Sequence, residues 1–394
     1  MIGNMENMHG DEMSARKNGY YIYFGTTTEF LGVQKKIDNQ VKILNMVCDC
    51  RKIVVPREEG NVIKSIMWRI PFGSFGRRYE YAFDQIRKNG EPDFLYIRFA
   101  PFDRKFIRFL AELRRRYGLA KIMLEIPTYP YKGELLHDIT MVPFYFKDVF
   151  HRHKVKRYVD RIVTLTDDRL IYGIPTIHIM NGIIVDDIPM VSCGNESERG
   201  GVNLIAVALM RRAHGYERCI QGLARYYQKN PGRRVEIHFV GDGEEKDYYQ
   251  NLASQLHLEE YVFFYGSQAG KELDLIYDKA DAGLGFFGLY KDKMSTISSL
   301  KSVEYLAKGL PVISGCVEDI MKYENGKSFF KIFPNDESVI DIKEIVGFYD
   351  SVYNNNKDRN SVHKEIRNFA RQTGDMSVVM KPVINYILGE KDDQ

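Results

Sequence analysis

The run Ser298-Ser299-Leu300-Lys301-Ser302-Val303-Glu304-Tyr305-Leu306-Ala307-Lys308-Gly309-Leu310-Pro311-Val312-Ile313 holds the residue types best spaced to do chemistry. Its pattern predicts a helix, a glycine turn, a proline and a buried strand. Ser298 and Ser299 stand at the helix start as caps. A helix N-terminus presents unbonded N–H groups and the positive end of a dipole, which suits a phosphate. Lys301 adds a cation in the first turn, where the dipole disfavours a purely structural lysine. Glu304 shares that side of the helix three residues on. A carboxylate there would accept hydrogen bonds from both hydroxyls of a ribose. The alternative is a surface ion pair between Lys301 and Glu304.

Other candidates are scattered along the chain. Arg211, Arg212 and Arg218 flank His214, and an arginine can hold phosphate oxygens in a two-pronged fork. Gly241-Asp242-Gly243 ends a strand and opens a helix, the ligand-facing edge of an α/β sheet. Gly32 precedes a helix, where a missing Cβ lets backbone N–H groups approach a phosphate or sugar. Both glycine sites also fit a plain tight turn. In Leu124–Glu134, the carboxylates Glu125 and Glu134 and the ring of Tyr129 follow a strand, and a general base there would need reach and a suitable pKa. His151 and His153 lack a third ligand at metal spacing.

The elements that would position these residues alternate strand and helix. Strands are predicted at Tyr20–Phe24, Lys52–Val55, 93–99, Lys121–Ile126 and 161–166, with helices over Val33–Val47 and Phe106–Tyr117 and one ending at Val155–Tyr158. After a turn and linker signal, Val202–Ala208, Val235–Val240, Tyr261–Phe264, Ala282–Gly285 and Pro311–Ile313 read as strands. Helices lie between them, and the tail reads as helical. This rhythm implies an α/β fold of two doubly wound domains with parallel strands and a ligand cleft between them.

Composition narrows the class. The 394 residues are 44% hydrophobic and 28% charged, a globular balance. No apolar run approaches the ~18–20 residues of a membrane span, and no signal segment opens the chain, so a cytoplasmic protein is expected. Cys48, Cys50, Cys193, Cys219 and Cys316 form no disulfide framework or zinc pattern and read as reduced thiols. Residues 1–186 hold 30 Lys+Arg against 22 Asp+Glu, and the remainder 26 against 31. The basic half, with His151–Arg161 and Arg104–Arg108, would suit an anionic partner such as the inner face of a membrane; a solvated face is the alternative. No nucleic-acid recognition motif accompanies the basic residues.

The helix segment resembles the nucleotide-sugar helix of GT-B glycosyltransferases, above all glycosyltransferase family 4, through Glu304-Tyr305-Leu306-Ala307-Lys308-Gly309-Leu310-Pro311-Val312. Gly32-Val33 and Gln40 resemble the family's first loop and helix. Asn181-Gly182-Ile183 resembles the element that ends its first domain, and His238–Gly243 its Val-Gly-x-Gly strand end. The resemblance implies a GT-B architecture of two Rossmann-like domains facing a cleft. Residues 1–18 would be a disordered tail, 19–186 an acceptor-binding domain, 187–201 a linker, 202–370 the nucleotide-sugar domain, and 371–394 a helix packing back on the first domain.

By the same resemblance, the chain is a retaining hexosyltransferase. It would use a nucleoside diphosphate sugar, UDP-sugar favoured, as its donor substrate, with no cofactor and no metal. The acceptor would be a glycan or lipid-linked glycan, and the setting cell-surface polysaccharide synthesis. The donor would be held by Gly32, Val33, Arg212, His214, Arg218, Gly241, Gly243, Gly288, Leu289, Ser298, Ser299, Leu300, Lys301 and Glu304. Glu125, Tyr129 and Lys301 are the residues expected nearest the chemistry. The chain departs from the family twice: Thr296 stands where a second Glu contacts the sugar, and His214 where a Lys contacts phosphate. These departures keep a second class open, a GT-B-like glycan-binding or accessory subunit. A sugar-nucleotide epimerase would want more carboxylates and histidines in the cleft.

Overall fold

The computed structural model describes residues 16–25, 31–56, 77–98, 102–126, 128–132, 136, 141–192, 201–353 and 358–390. It divides into two compact units, residues 1–179 with 380–394, and residues 180–379. The sequence analysis set its boundaries at 186 and 371. Most of the expected tail, with Trp68, Pro127, Glu134 and Cys193, lies outside the described residues.

The first unit is built on a seven-stranded sheet. In chain order its elements are β1 (Asn18–Phe24), α1 (Leu31–Val47), β2 (Asp49–Val55), α2 (Arg77–Asn89), β3 (Phe94–Arg98), α3 (Arg104–Arg116), β4 (Lys121–Ile126), α4 (Val142–His151), β5 (Arg161–Thr164), β6 (Leu170–Ile171) and β7 (Ile174–His178). The strand order is β2-β1-β3-β4-β5-β7-β6, parallel throughout except for the β6–β7 pair. The apolar runs Phe94–Ile97 and Ile122–Leu124 are buried, as parallel strands covered on both faces must be. Asp103 accepts from the Phe106 N–H at 2.7 Å and starts α3, and three arginines close its last turn, where the dipole favours cations. Phe106, Phe109 and Leu110 pack with Tyr79 and Phe102 into the core.

The second unit has a six-stranded parallel sheet in the order β10-β9-β8-β11-β13-β15. Its elements are β8 (Gly201–Val207), α5 (Glu217–Tyr227), β9 (Arg234–Val240), α6 (Lys246–Gln255), β10 (Val262–Phe264), α7 (Gly270–Tyr277), β11 (Ala282–Leu284), β12 (Thr296–Ile297), α8 (Leu300–Lys308), β13 (Val312–Ser314), β14 (Val317–Glu318), β15 (Phe330–Ile332), α9 (Ile342–Tyr353), α10 (Arg359–Thr373) and α11 (Met376–Val379). A separate two-stranded sheet pairs β12 with β14. A buried ion pair between Asp281 and Arg359, beside the Tyr353 ring, ties α10 to the start of β11. The last helix, α12 (Lys381–Leu388), belongs to the first unit. There Lys121 Nζ donates to the Tyr386 and Ile387 carbonyls at 2.6 and 3.1 Å, and the Arg161 guanidinium lies over the Tyr386 ring.

The sequence reading finds most strands within a few residues. It omits α2 and the short strands β6, β7, β12, β14 and β15. The helix it ends at Val155–Tyr158 is α4, which stops at His151 and runs on as a 3-10 segment, Arg152–Arg157. The helical tail expected over Ser361–Leu388 is three helices, broken at Gly374 and Met380.

Candidate functional site

Helix α8 is the centre of the second unit's candidate site. Ser299 caps it, its side chain accepting from the Ser302 N–H. Gly309, at a φ of +87°, stops it in the left-handed region that a side chain disfavours. Leu310 and Pro311 then lead the chain into β13, so the helix start lies at the C-terminal edge of the sheet, beside the ends of β11 and β13. Leu300 is half-buried and Ser299 buried. The Ser298 hydroxyl accepts from the Asn181 backbone N–H at 2.8 Å, and the Ser298 carbonyl accepts from the Asn181 side-chain amide at 2.8 Å. Asn181, Ser298, Ser299 and Asp319 line a small crevice at this helix start.

Lys301 is drawn inward. Its Nζ donates to the Gly285 carbonyl at 2.9 Å and to the Tyr216 hydroxyl at 3.1 Å, and it sits 3.8 Å from the centre of the Phe286 ring. Burial lowers its pKa to about 7, against the charge of Glu318, which raises it. The expected alternative, a Lys301–Glu304 ion pair, does not form. Glu304 is half-buried and accepts from the Tyr277 hydroxyl at 3.3 Å.

His214 stacks between Phe286 (4.8 Å) and Tyr216 (5.4 Å). Its Nδ1 accepts from the Arg211 N–H at 2.9 Å, which leaves Nε2 as the ring's donor. Burial and then the Lys301 charge lower its pKa to about 2. It is a neutral donor, not a cation in place of a lysine. The following loop crosses this one closely. Phe287 and Gly288 N–H groups donate to the His214 and Ala213 carbonyls at 2.8 and 3.1 Å. A Cβ on Gly215 would stand 2.5 Å from the Gly288 nitrogen, and one on Gly288 2.6 Å from the Arg212 carbonyl oxygen. Leu289 is buried behind the crossing.

The expectation for Arg218 changes. Arg218 is only 1% exposed. Its guanidinium donates to the Ser338, Phe287 and Pro334 carbonyls at 2.6, 2.7 and 2.9 Å, so its donors serve the loops around them. Arg212 stays exposed and open to a ligand. Gly241 and Gly243, at φ of +122° and +138°, serve a backbone crossing: added Cβ atoms would stand 2.0 and 2.3 Å from the Ala208 and Met210 carbonyl oxygens. Thr296 is exposed on β12 and carries no carboxylate to a sugar.

In the first unit Glu125 is committed to a buried network, in place of the expected sugar contact. Arg98, its register neighbour on β3, donates to it at 2.5 Å and Lys36 from α1 at 3.3 Å. The hydroxyls of Tyr96 and Tyr21 donate at 2.8 and 3.2 Å, and Gln40 at 3.5 Å. Burial would raise its pKa, but the Arg98 and Lys36 charges outweigh it and hold the carboxyl at about 2. An ionised, fully bonded carboxylate is a poor general base. Tyr129 is half-buried against the Tyr131 and Tyr172 rings. Gly32 is exposed on α1 with open space where a Cβ would be, and Val33 is half-buried.

Glu318 is the residue the sequence reading missed. It is buried beside Gly285, and neither of its carboxylate oxygens has a hydrogen-bond partner.

Two parallel α/β units, with a capped helix and its Lys and Glu at the sheet edge of the second, define a GT-B fold. Residues 199–339 match the model of the family glycosyl transferases group 1. Solved structures share the fold over nearly the whole chain. A glycosyltransferase from Rickettsia africae ESF-5 has a TM-score of 0.61 at 11% identity, covering 95% of this chain and 100% of its own. Anabaena HepE in complex with UDP gives 0.61 at 11%, covering 94% and 100%. Sucrose-phosphate synthase from Thermosynechococcus elongatus gives 0.59 at 11%, covering 95% and 100%. No curated protein matches in sequence.

Proposed function

We propose that this protein is a retaining glycosyltransferase that moves a hexose from a nucleoside diphosphate sugar, UDP-sugar favoured, to a glycan or lipid-linked glycan in cell-surface polysaccharide synthesis. One observation carries the reading: α8 presents an inward-drawn, half-buried Lys301, a half-buried Glu304 and a capped N-terminus at one sheet edge. Glu304 would take the ribose hydroxyls. Lys301, the N–H groups of α8 and Arg212 would take the diphosphate, and His214 would donate a neutral hydrogen bond. Charge developing on the leaving diphosphate would be stabilised by these donors, fixed before reaction. The leaving phosphate would accept the acceptor's proton, which asks no base of Glu125.

The acceptor is proposed to lie at the inner face of a membrane. No helix among the described residues is long and apolar enough to cross one. Support for a surface contact is the pair Phe146 and Phe150, 61% and 63% exposed one turn apart on α4, beside the exposed Lys154, Lys156 and Arg157. The accessory-subunit reading is favoured by one observation, the exposed Thr296 in place of a carboxylate. A panel of UDP, GDP, ADP and dTDP sugars decides between the two by thermal stabilisation. One nucleotide stabilising the wild type but not Glu304→Ala supports the transferase. No shift from any of them supports the accessory subunit.

A further inference from the structure

Glu318 has no obvious reason to be where it is. It is 1% exposed, and both carboxylate oxygens lack hydrogen-bond partners. The nearby hydroxyls make their formed bonds elsewhere, Ser302 to Ser299 Oγ at 3.2 Å and Ser314 to the Phe286 carbonyl at 3.2 Å, yet both stand close enough to the carboxylate to lower its pKa and only partly offset its burial. A buried, unbonded carboxylate is costly in its charged form.

Its position is set by the same strands that set the site. On β14, Glu318 pairs in register with Ile297 of β12, which runs directly into Ser298, Ser299 and α8. Its Oε1 lies against Gly285, where an added Cβ would stand 2.9 Å away. Gly285 is the residue whose carbonyl accepts from Lys301 Nζ. The amine and the carboxylate thus reach one backbone residue from two sides, with no direct bond between them among the described residues. Each feels the other's charge.

We propose that Glu318 is the proton-holding partner of Lys301: when a nucleoside diphosphate settles on the charged amine, the Glu318 carboxylate takes up a proton from solvent, and the pair meets the anion with a net positive charge. The proposal rests on the donor-site reading above and makes Glu318 a positioning residue acting through Lys301.

Electrostatics agree. Burial raises the Glu318 pKa to about 7, and burial lowers that of Lys301 to about 7, so the two titrate as one unit near neutrality. The other groups facing them keep their charge there. His214 is held down at about 2, and Cys316 is pushed up to about 12. Burial raises Tyr216 and Tyr305 well above their ordinary value. Asp319, 3.8 Å from Lys322, acts on Glu318 as a like charge and adds to the upward push. Glu304, on the same helix, faces Tyr277. Without ligand the pair is net neutral, either as two charges or as none. An arriving diphosphate favours the net positive state, so binding must consume a proton.

The test is calorimetric titration of the full chain with the nucleotide sugar that stabilises it, in buffers of different ionisation enthalpy at pH 7.5. A nucleotide sugar is a phosphodiester with no group of its own titrating in this window. The wild type is expected to take up most of one proton, and its Kd to weaken by up to about tenfold per pH unit above neutrality. Glu318→Gln is expected to take up almost none and to bind with a flat pH profile. Binding by the wild type without proton uptake, or unchanged uptake in Glu318→Gln, overturns the proposal. The wild-type arm decides even if the variant does not fold. Binding of no nucleotide sugar by the wild type overturns the donor-site reading itself, a different failure.

Discussion

Asn181 holds Ser298 twice, through its backbone N–H to the hydroxyl and through its side-chain amide to the carbonyl, each at 2.8 Å. The two residues are far apart in sequence, and together they fix the first turn of α8. The neighbouring Gly182 packs closely on the segment after α10, since a Cβ there would stand 2.9 Å from Val379 and 3.0 Å from the Gly374 carbonyl. Asn181→Ala removes one bond and leaves the Ser298 carbonyl without that donor. The expected loss is about 1 kcal/mol, or a Tm lower by roughly 2–4 °C, with weaker nucleotide binding because the helix start loosens. Scanning calorimetry with and without nucleotide reads both. An unchanged Tm would show that the clamp carries no stability.

Glu304→Ala separates binding from folding. The side chain is half-buried with one weak hydroxyl partner, so its removal should leave the melting temperature of the free protein nearly unchanged. A donor present at ~100 times its Kd should stabilise the wild type by about 2.7 kcal/mol and the variant by much less. Equal stabilisation of both proteins would remove Glu304 from the site.

The arginines of the 211–218 segment should behave in opposite ways. Arg218→Ala leaves three carbonyls, that of Phe287 buried and those of Ser338 and Pro334 partly so, without their donor and should cost about 3 kcal/mol of stability. Arg212→Ala touches an exposed side chain, so stability should hold while nucleoside diphosphate affinity falls several-fold. Urea unfolding beside a nucleotide titration distinguishes them. Loss of affinity in neither variant would take the diphosphate away from this loop.

Glu125 predicts an acid-side loss of stability. Its folded pKa is depressed to about 2, so its stabilisation is present above the unfolded value near 4.5 and is lost as pH falls from there toward 2. The shift corresponds to about 3 kcal/mol. Lys36 works against this: burial lowers its pKa, so its charge costs stability at neutral pH and the network gains less than Glu125 alone suggests. Glu125→Ala should cost about 3–5 kcal/mol, because Arg98 and Lys36 are left buried without their anion. Urea midpoints at pH 3 and pH 7 should converge for the variant and the wild type. A parallel acid loss in both would assign it to other carboxylates.

These residues show what was legible in the sequence. β4 was read at its true limits, Lys121–Ile126, because an apolar run between turn signals is local information. α8 was placed within a residue because its serine cap and glycine stop are adjacent to it. The two-residue strands β12 and β14 exist only through each other, their paired residues 21 positions apart, and no local pattern marks them. Glu125 was singled out by its type, but its partners come from β1, β3 and α1, which only the folded sheet brings together. Arg218 looked like a phosphate ligand because sequence shows the charge and not the three carbonyls around it. Glu318 drew no notice because its isolation from donors is a tertiary fact.

The aromatic pair on α4 offers the last test. Phe146 and Phe150 are four residues apart, so they share a helix face, and both are more than half exposed. Lys154 Nζ lies 4.8 Å from the centre of the Phe150 ring, and Lys156 and Arg157 follow on the surface. Each basic residue near an anionic bilayer contributes about 1 kcal/mol, and two inserted rings add apolar burial. Attraction of this kind depends on both terms, because the charges alone are screened by salt. The protein should therefore float with vesicles containing phosphatidylserine or phosphatidylglycerol and not with neutral ones. Phe146→Ser with Phe150→Ser should release it while leaving its melting temperature unchanged, since the exposed rings contribute little to the core. Equal flotation of the double variant, or of the wild type with neutral vesicles, would remove this face as the membrane contact.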